Sequence, residues 1–135
     1  MLSLLQNGAE IRENYLSPSQ CEVLLEDLEA YKASHELPLI ERFDAGRSLR
    51  YRVIDGDRIF HSLPRVVSLY RDVLAMVREL EPQFEPLSNQ TAGLNVNFTS
   101  PGGEYRWHYD RNSVTAILFL NSVKGGATEM YPHYR

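Results

Sequence analysis

Residues 93–132, GLNVNFTSPGGEYRWHYDRNSVTAILFLNSVKGGATEMYP, decide the fold because strand-like runs and turn-forming residues alternate along them. In the first run apolar and polar residues alternate, as they do in a half-buried strand. The uncharged run VTAILFL is apolar almost throughout, which is typical of a strand covered on both faces. Gly and Pro residues between the runs predict turns, the first at residues 100–103. The strands are predicted at residues 94–98, 104–110, 114–120 and 127–131.

Two helices are predicted before this region. Ser17 and Gln20 have the spacing of a capping box, and Pro18 suits the first position of a helix. Apolar residues then follow at helical spacing, with Cys21 among them, so we expect this cysteine to be a buried structural thiol. A second apolar stripe predicts a helix over about residues 62–80.

Short extended or turning segments are predicted around these helices. Residues 9–16 predict a strand whose inward-facing residues are Ile11 and Tyr15. Residues 49–54 predict another strand. The Asp-Gly-Asp sequence at 55–57 predicts a plain turn rather than a cation site, because the pattern of a calcium loop does not continue beyond it.

Helices followed by closely spaced strands predict an α+β fold, in which N-terminal helices pack on a β-sandwich or jelly-roll core. The chain has 135 residues and makes one domain at most. We divide this domain into a helical lead-in, residues 1–86, and the first jelly-roll strands, residues 87–135.

The composition argues against several classes of protein. The formal net charge is -4 and no cluster of Lys and Arg is present, which argues against a nucleic-acid partner. The single cysteine excludes an intramolecular disulfide and fits a reducing compartment. With neither a signal peptide nor a run of about 20 apolar residues, we expect a soluble cytoplasmic protein that makes no membrane contact.

The triplet His108-Tyr109-Asp110 is the candidate site. Residues two apart on a strand point to the same face, so an imidazole and a carboxylate would converge on one point. They are two of the three ligands of the 2-His-1-carboxylate facial triad that holds non-heme Fe(II). Taken alone the triplet is a weak signal, and an accidental surface pair is the alternative interpretation.

Three blocks in order carry a family resemblance: FTSPGGEYRWHYD at 98–110, VTAILFLN at 114–121 and GGATEMYP at 125–132. With them the chain resembles the Fe(II)- and 2-oxoglutarate-dependent dioxygenases, in particular their prolyl-4-hydroxylase-like branch. The resemblance covers about 40 residues. It implies a double-stranded β-helix (jelly-roll) core.

The resemblance also implies a reaction. His108 and Asp110 would bind Fe(II), and 2-oxoglutarate would be the cosubstrate, decarboxylated with O2 to succinate while a peptidyl residue or small metabolite is hydroxylated. Related halogenases lack the carboxylate, so Asp110 favours hydroxylation or a hydroxylation-like oxidation such as demethylation. Ascorbate (vitamin C) often supports this branch by keeping the iron reduced.

Residues that contact 2-oxoglutarate are also expected by resemblance. Tyr105 aligns with a tyrosine common in the branch. Phe98 and Phe119 stand where several relatives have a tyrosine, and phenylalanine cannot donate that hydrogen bond. Asn97 could supply a polar contact, or could simply lie on the solvent face of an alternating strand.

The family pattern has further parts that we do not find in this sequence. Relatives place the distal histidine several dozen residues past the aspartate, followed by a basic residue that pairs with 2-oxoglutarate. Only His133 follows Asp110 here, and both it and Arg135 are in the wrong place, so we expect C-terminal strands to be missing. The open alternatives are an enzyme lacking its C-terminal part, a binding or assembly protein with a relic half-site, and an unrelated β-sandwich module.

Overall fold

The structure, a computed structural model, describes residues 8–44, 47–103, 108, 110–125 and 128–130. Over these residues the chain is mixed α and β, with four helices and a three-stranded antiparallel sheet, which confirms the predicted α+β class. The helices are α1 (Pro18–Ser34), α2 (Gly56–Ser62), α3 (Pro64–Leu80) and α4 (Gln90–Gly93). The strands are β1 (Leu39–Asp44), β2 (Arg47–Ile54) and β3 (Val96–Phe98). The jelly-roll core stays a prediction.

Helix α1 begins as its sequence predicts. The Ser17 hydroxyl accepts the backbone N–H of Gln20 at 3.2 Å, and the Gln20 side chain accepts the backbone N–H of Ser17 at 2.8 Å. This reciprocal pair satisfies two backbone donors that the first turn leaves without helical partners. Cys21 is half-buried, less than we predicted.

The helix predicted over about residues 62–80 is confirmed as α3, and a further helix, α2, precedes it where a turn was predicted. The Asp55 carboxylate accepts the backbone N–H of Arg58 at 3.0 Å, so Asp55 caps α2 and the predicted turn at 55–57 is wrong. Leu63 leaves the helical region, with φ -124° and ψ 70°, and Pro64 opens α3. The break follows from Pro64, because a proline ring disfavours helical geometry in the residue before it.

The core lies between the helices and the sheet. Ile54 at the end of β2 and Ile59 in α2 are both fully buried at 0% exposure. The buried residues of the main cluster are Leu24, Leu28, Tyr31, Leu37, Ile54, Ile59, Leu63, Val66 and Val67. Phe98 from β3 and Leu120 from the C-terminal segment pack against this cluster, so both flanks of the candidate site are attached to the core.

The sheet is built around β2. Strand β1 pairs with one edge of β2, with Leu39 opposite Arg52, and β3 pairs with its other edge, with Val96 opposite Ile54. The predicted strand at 94–98 is therefore confirmed in a shorter form. The predicted turn at 100–103 is also confirmed, because the Gly103 N–H donates to the Ser100 carbonyl at 2.8 Å.

Two predicted strands are wrong. Residues 9–12 have no regular secondary structure and residues 13–16 form a turn and a bend, with Asn14 at φ 55° and both Ile11 and Tyr15 exposed, because a positive φ interrupts an extended chain. Residues 114–120 make no described sheet pairing, and Ile117 and Phe119 are 58% and 64% exposed. An apolar composition alone does not supply the hydrogen-bonded neighbour that a strand requires.

The other predicted strands lie partly outside the described residues. Residues 104–107 and 109 belong to the predicted strand at 104–110, and its described members, His108 and Asp110, are not in a strand. Residues 128–130 are likewise not in a strand, whereas 127 and 131 fall outside the description. Within the described part of the chain, every helix is too short or too polar to cross a bilayer.

Candidate metal centre

The chain approaches the candidate site through a turn held against the sheet. Gly102 has φ 79°, a conformation that favours glycine. A β-carbon on Gly103 would come within 2.5 Å of the Arg50 carbonyl, so the turn backbone lies directly on β2. This contact fixes where the chain leaves β3 before it reaches His108.

His108 and Asp110 are brought together as predicted. His108 Nε2 lies 3.2 Å from Asp110 Oδ1, and the two side chains are 59% and 43% exposed. The two side chains therefore lie side by side, but neither residue lies in the strand from which their convergence was predicted. The exposure leaves room for further ligands beside this pair.

The distance between these atoms is that of an ordinary His–Asp ion pair or hydrogen bond, and it is also compatible with two ligands of one ion. Ligand atoms about 2.1 Å from a metal and at right angles to each other are about 3.0 Å apart, and at the tetrahedral angle they are about 3.4 Å apart. The observed 3.2 Å between Nε2 and Oδ1 lies between these values. An imidazole nitrogen and a carboxylate oxygen are also the donor types that non-heme Fe(II) accepts.

A hydrogen-bonded chain holds the second oxygen of Asp110. Thr115 Oγ1 donates to Asp110 Oδ2 at 2.5 Å, and Asn112 Nδ2 donates to Thr115 Oγ1 at 2.7 Å. Asn112 Nδ2 also donates to the Val114 carbonyl at 2.5 Å. The two carboxylate oxygens thus face different partners, Oδ1 towards His108 and Oδ2 towards Thr115.

Within the described residues, no third candidate ligand joins His108 and Asp110. Among the residues described, no group of three His, Cys, Asp or Glu side chains could hold a metal ion together. His133 and Arg135, the downstream residues considered for the third ligand and the carboxylate anchor, lie outside the described residues.

Of the four residues expected to contact 2-oxoglutarate, one is half-buried, two are exposed and one lies outside the described residues. Phe98 is half-buried against the core, with the Lys32 ammonium 5.0 Å from its ring centroid. Asn97 is exposed on β3 opposite Val53. Phe119 is exposed, and Tyr105 lies outside the described residues. The roles of all four in cosubstrate binding stay predictions.

The sequence interpretation missed Thr115 and Asn112. Thr115 was taken as part of an apolar strand, although it is the one hydrogen-bonding side chain in VTAILFL. Asn112 follows Asp110 by two residues, in a sequence where an asparagine amide commonly bonds to nearby backbone. A polar residue within an apolar run close to a candidate metal ligand was the available signal.

The described surface also has a groove that is separate from the candidate metal centre. It is an open cavity of about 380 Å³ between α1 and α3, with Leu16, Leu24 and Leu69 in its wall and Arg65 and Asp72 at its polar side. None of the residues of the candidate metal centre lines it.

Comparison of the chain with protein-family models, with curated proteins and with solved structures gives no match.

Proposed function

We propose that this chain is an Fe(II)- and 2-oxoglutarate-dependent oxygenase, with His108 and Asp110 as two of the iron ligands. The observation that carries the proposal is the 3.2 Å separation of His108 Nε2 and Asp110 Oδ1, which suits two neighbouring ligands of one ion. The family resemblance of residues 98–110, 114–121 and 125–132, which includes His108 and Asp110 themselves, supports the same proposal. Bound Fe(II) and 2-oxoglutarate would supply O2-dependent hydroxylation, with succinate and carbon dioxide as coproducts.

The residues of the chain have defined tasks in this proposal. His108 presents Nε2 as a neutral donor, and Asp110 presents Oδ1 while its other oxygen is held by Thr115. A carboxylate ligand places one negative charge beside the cation and occupies a position that halide would otherwise take. Partial exposure of both side chains leaves coordination positions for a cosubstrate that chelates through two oxygens.

The proposal includes the finer fold and the remaining ligands. The finer fold is the jelly-roll core that the resemblance implies. A third protein ligand is also needed. The resemblance puts it at a histidine several dozen residues past Asp110, and His133 is the alternative within this sequence. The substrate would be a peptidyl residue or a small metabolite, and ascorbate would keep the iron reduced.

Anaerobic titration with Fe(II) followed by 2-oxoglutarate tests the proposal. We expect saturable Fe(II) binding, and a visible charge-transfer band once 2-oxoglutarate chelates the iron. His108→Ala removes a nitrogen donor and Asp110→Asn removes the negative charge of the carboxylate, and each should weaken Fe(II) binding by more than about 100-fold, beyond the usual effect of an outer-shell change. His61→Ala is the matched control, because His61 is an exposed histidine in α2 away from the pair.

Admission of O2 to the loaded protein completes the test. Succinate formation that requires His108 and Asp110 supports the oxygenase. Fe(II) binding that both variants retain at the wild-type level contradicts it and makes the pair a surface contact. Specific Fe(II) binding without a charge-transfer band or succinate would contradict the enzyme and favour the relic half-site of a binding or assembly protein.

A further inference from the structure

We propose that Thr115, itself oriented by Asn112, is a positioning residue that restricts Asp110 to one-oxygen binding of the metal. This inference rests on the proposed function and deepens it, because it concerns how the carboxylate ligand is held. It is carried by three hydrogen bonds among Asp110, Asn112, Val114 and Thr115.

The direction of each hydrogen bond in this chain is fixed by its chemistry. The Val114 carbonyl can only accept, so the Asn112 group that contacts it at 2.5 Å is the amide nitrogen. The second hydrogen of that nitrogen is directed to Thr115 Oγ1 at 2.7 Å. The threonine oxygen therefore accepts from Asn112, and its single O–H points to Asp110 Oδ2 at 2.5 Å.

The two carboxylate oxygens of Asp110 therefore have different partners. Oδ2 is occupied by a short hydrogen bond from Thr115, whereas Oδ1 lies 3.2 Å from His108 Nε2. This hydrogen bond disfavours metal binding through Oδ2 and so favours binding of an ion through Oδ1 alone. One coordination position that a two-oxygen carboxylate would take is thereby left for cosubstrate or O2.

Thr115 can serve this role without being needed for the core. Its side chain is exposed, and it follows Asp110 by five residues in a segment that Leu120 anchors to the core. Loss of the hydroxyl should therefore alter the ligand more than the fold. Outer-shell hydrogen bonds to metal ligands typically contribute 10- to 100-fold in metal affinity.

Co(II) titration monitored by visible absorption is the test, because Co(II) reports both affinity and coordination number. Thr115→Val removes the O–H while keeping the branched shape, and Thr115→Ser keeps the O–H. We expect Thr115→Val to weaken Co(II) binding about tenfold and to change the d–d bands towards a higher coordination number. Thr115→Ser should restore both, and Asn112→Ala should fall between Thr115→Val and wild type.

Thr91→Val is the matched control. Thr91 Oγ1 donates to Asp57 Oδ2 at 2.6 Å, which is the same kind of hydrogen bond on exposed side chains away from the pair. Its loss should leave Co(II) affinity and absorption unchanged. Urea denaturation of all variants checks that each one folds.

The outcomes separate this inference from the proposed function. Wild-type protein that binds Co(II) no better than His108→Ala overturns both. Wild-type binding that depends on His108, with Thr115→Val equal to wild type in affinity and absorption, overturns the positioning role alone. Equal losses in Thr115→Val and Thr115→Ser also overturn it, because the hydroxyl would then not be the group that matters.

Discussion

The backbone of Gln90 lies directly against Gly56, so that a β-carbon on Gly56 would come within 1.9 Å of the Gln90 carbonyl oxygen. The neighbouring side chains reinforce this approach. Asp57 accepts hydrogen bonds from the Gln90 amide at 3.1 Å and from the Thr91 hydroxyl at 2.6 Å. Helices α2 and α4 are thereby joined just before the chain enters β3, which leads to the candidate site.

Gly56→Ala should destabilise the protein strongly. The added methyl group meets backbone atoms that cannot rotate away, so α4 has to shift, and overpacking of this kind costs about 1–3 kcal/mol or more. Urea denaturation followed by circular dichroism measures the change in free energy of unfolding. Gly93→Ala is the control, because its β-carbon would make an ordinary 3.5 Å contact with Leu87 Cβ. Equal stability of the two variants would contradict the close approach.

Ser17→Ala should weaken the start of α1. The variant loses the hydroxyl that accepts the Gln20 N–H at 3.2 Å, and removal of such a cap costs about 1 kcal/mol. Ser17→Asp retains an acceptor oxygen and should recover most of this stability. A Ser17→Ala variant as stable in urea as wild type would show that the capping box contributes nothing measurable.

Ile59→Ala should be among the most destabilising core substitutions. Ile59 is fully buried where α2 meets the rest of the core, and truncation of a buried isoleucine to alanine costs about 2–5 kcal/mol. Ile11→Ala is the matched control, because Ile11 is exposed and its truncation should change stability by less than about 0.5 kcal/mol. Equal losses of stability would mean that Ile11 is buried, as in the strand predicted at residues 9–16, and would contradict its exposed position.

Local sequence rules predicted those parts of the fold that local contacts determine. The start of α1 depends on Ser17, Pro18 and Gln20, which are neighbours in sequence, and it was predicted to the residue. The break at Leu63 depends on the adjacent Pro64, and the same steric rule could have predicted it. Asp55 was taken for a turn residue because turns and helix caps favour the same side chains.

Parts that depend on distant partners could not be predicted in this way. The run VTAILFL has the composition of a buried strand, but whether it pairs depends on hydrogen-bonding neighbours that its sequence does not specify. The candidate site likewise has one feature that was expected from the local sequence and others that were not. The approach of His108 to Asp110 was predicted from their spacing, whereas the hydrogen bonds of Thr115 and Asn112 depend on how the backbone turns after Asp110.

Phe119→Ala and Leu120→Ala should have opposite outcomes and so test how the 114–120 segment lies on the protein. Phe119 is 64% exposed, and its truncation should change the free energy of unfolding by less than about 0.5 kcal/mol. Leu120 packs against the core cluster, and its truncation should cost about 1–3 kcal/mol. Phe43→Ala on β1 is the control for removing an exposed phenylalanine. A strand covered on both faces predicts instead that Phe119→Ala costs about 3–5 kcal/mol, and such a loss in urea denaturation would overturn the exposed arrangement.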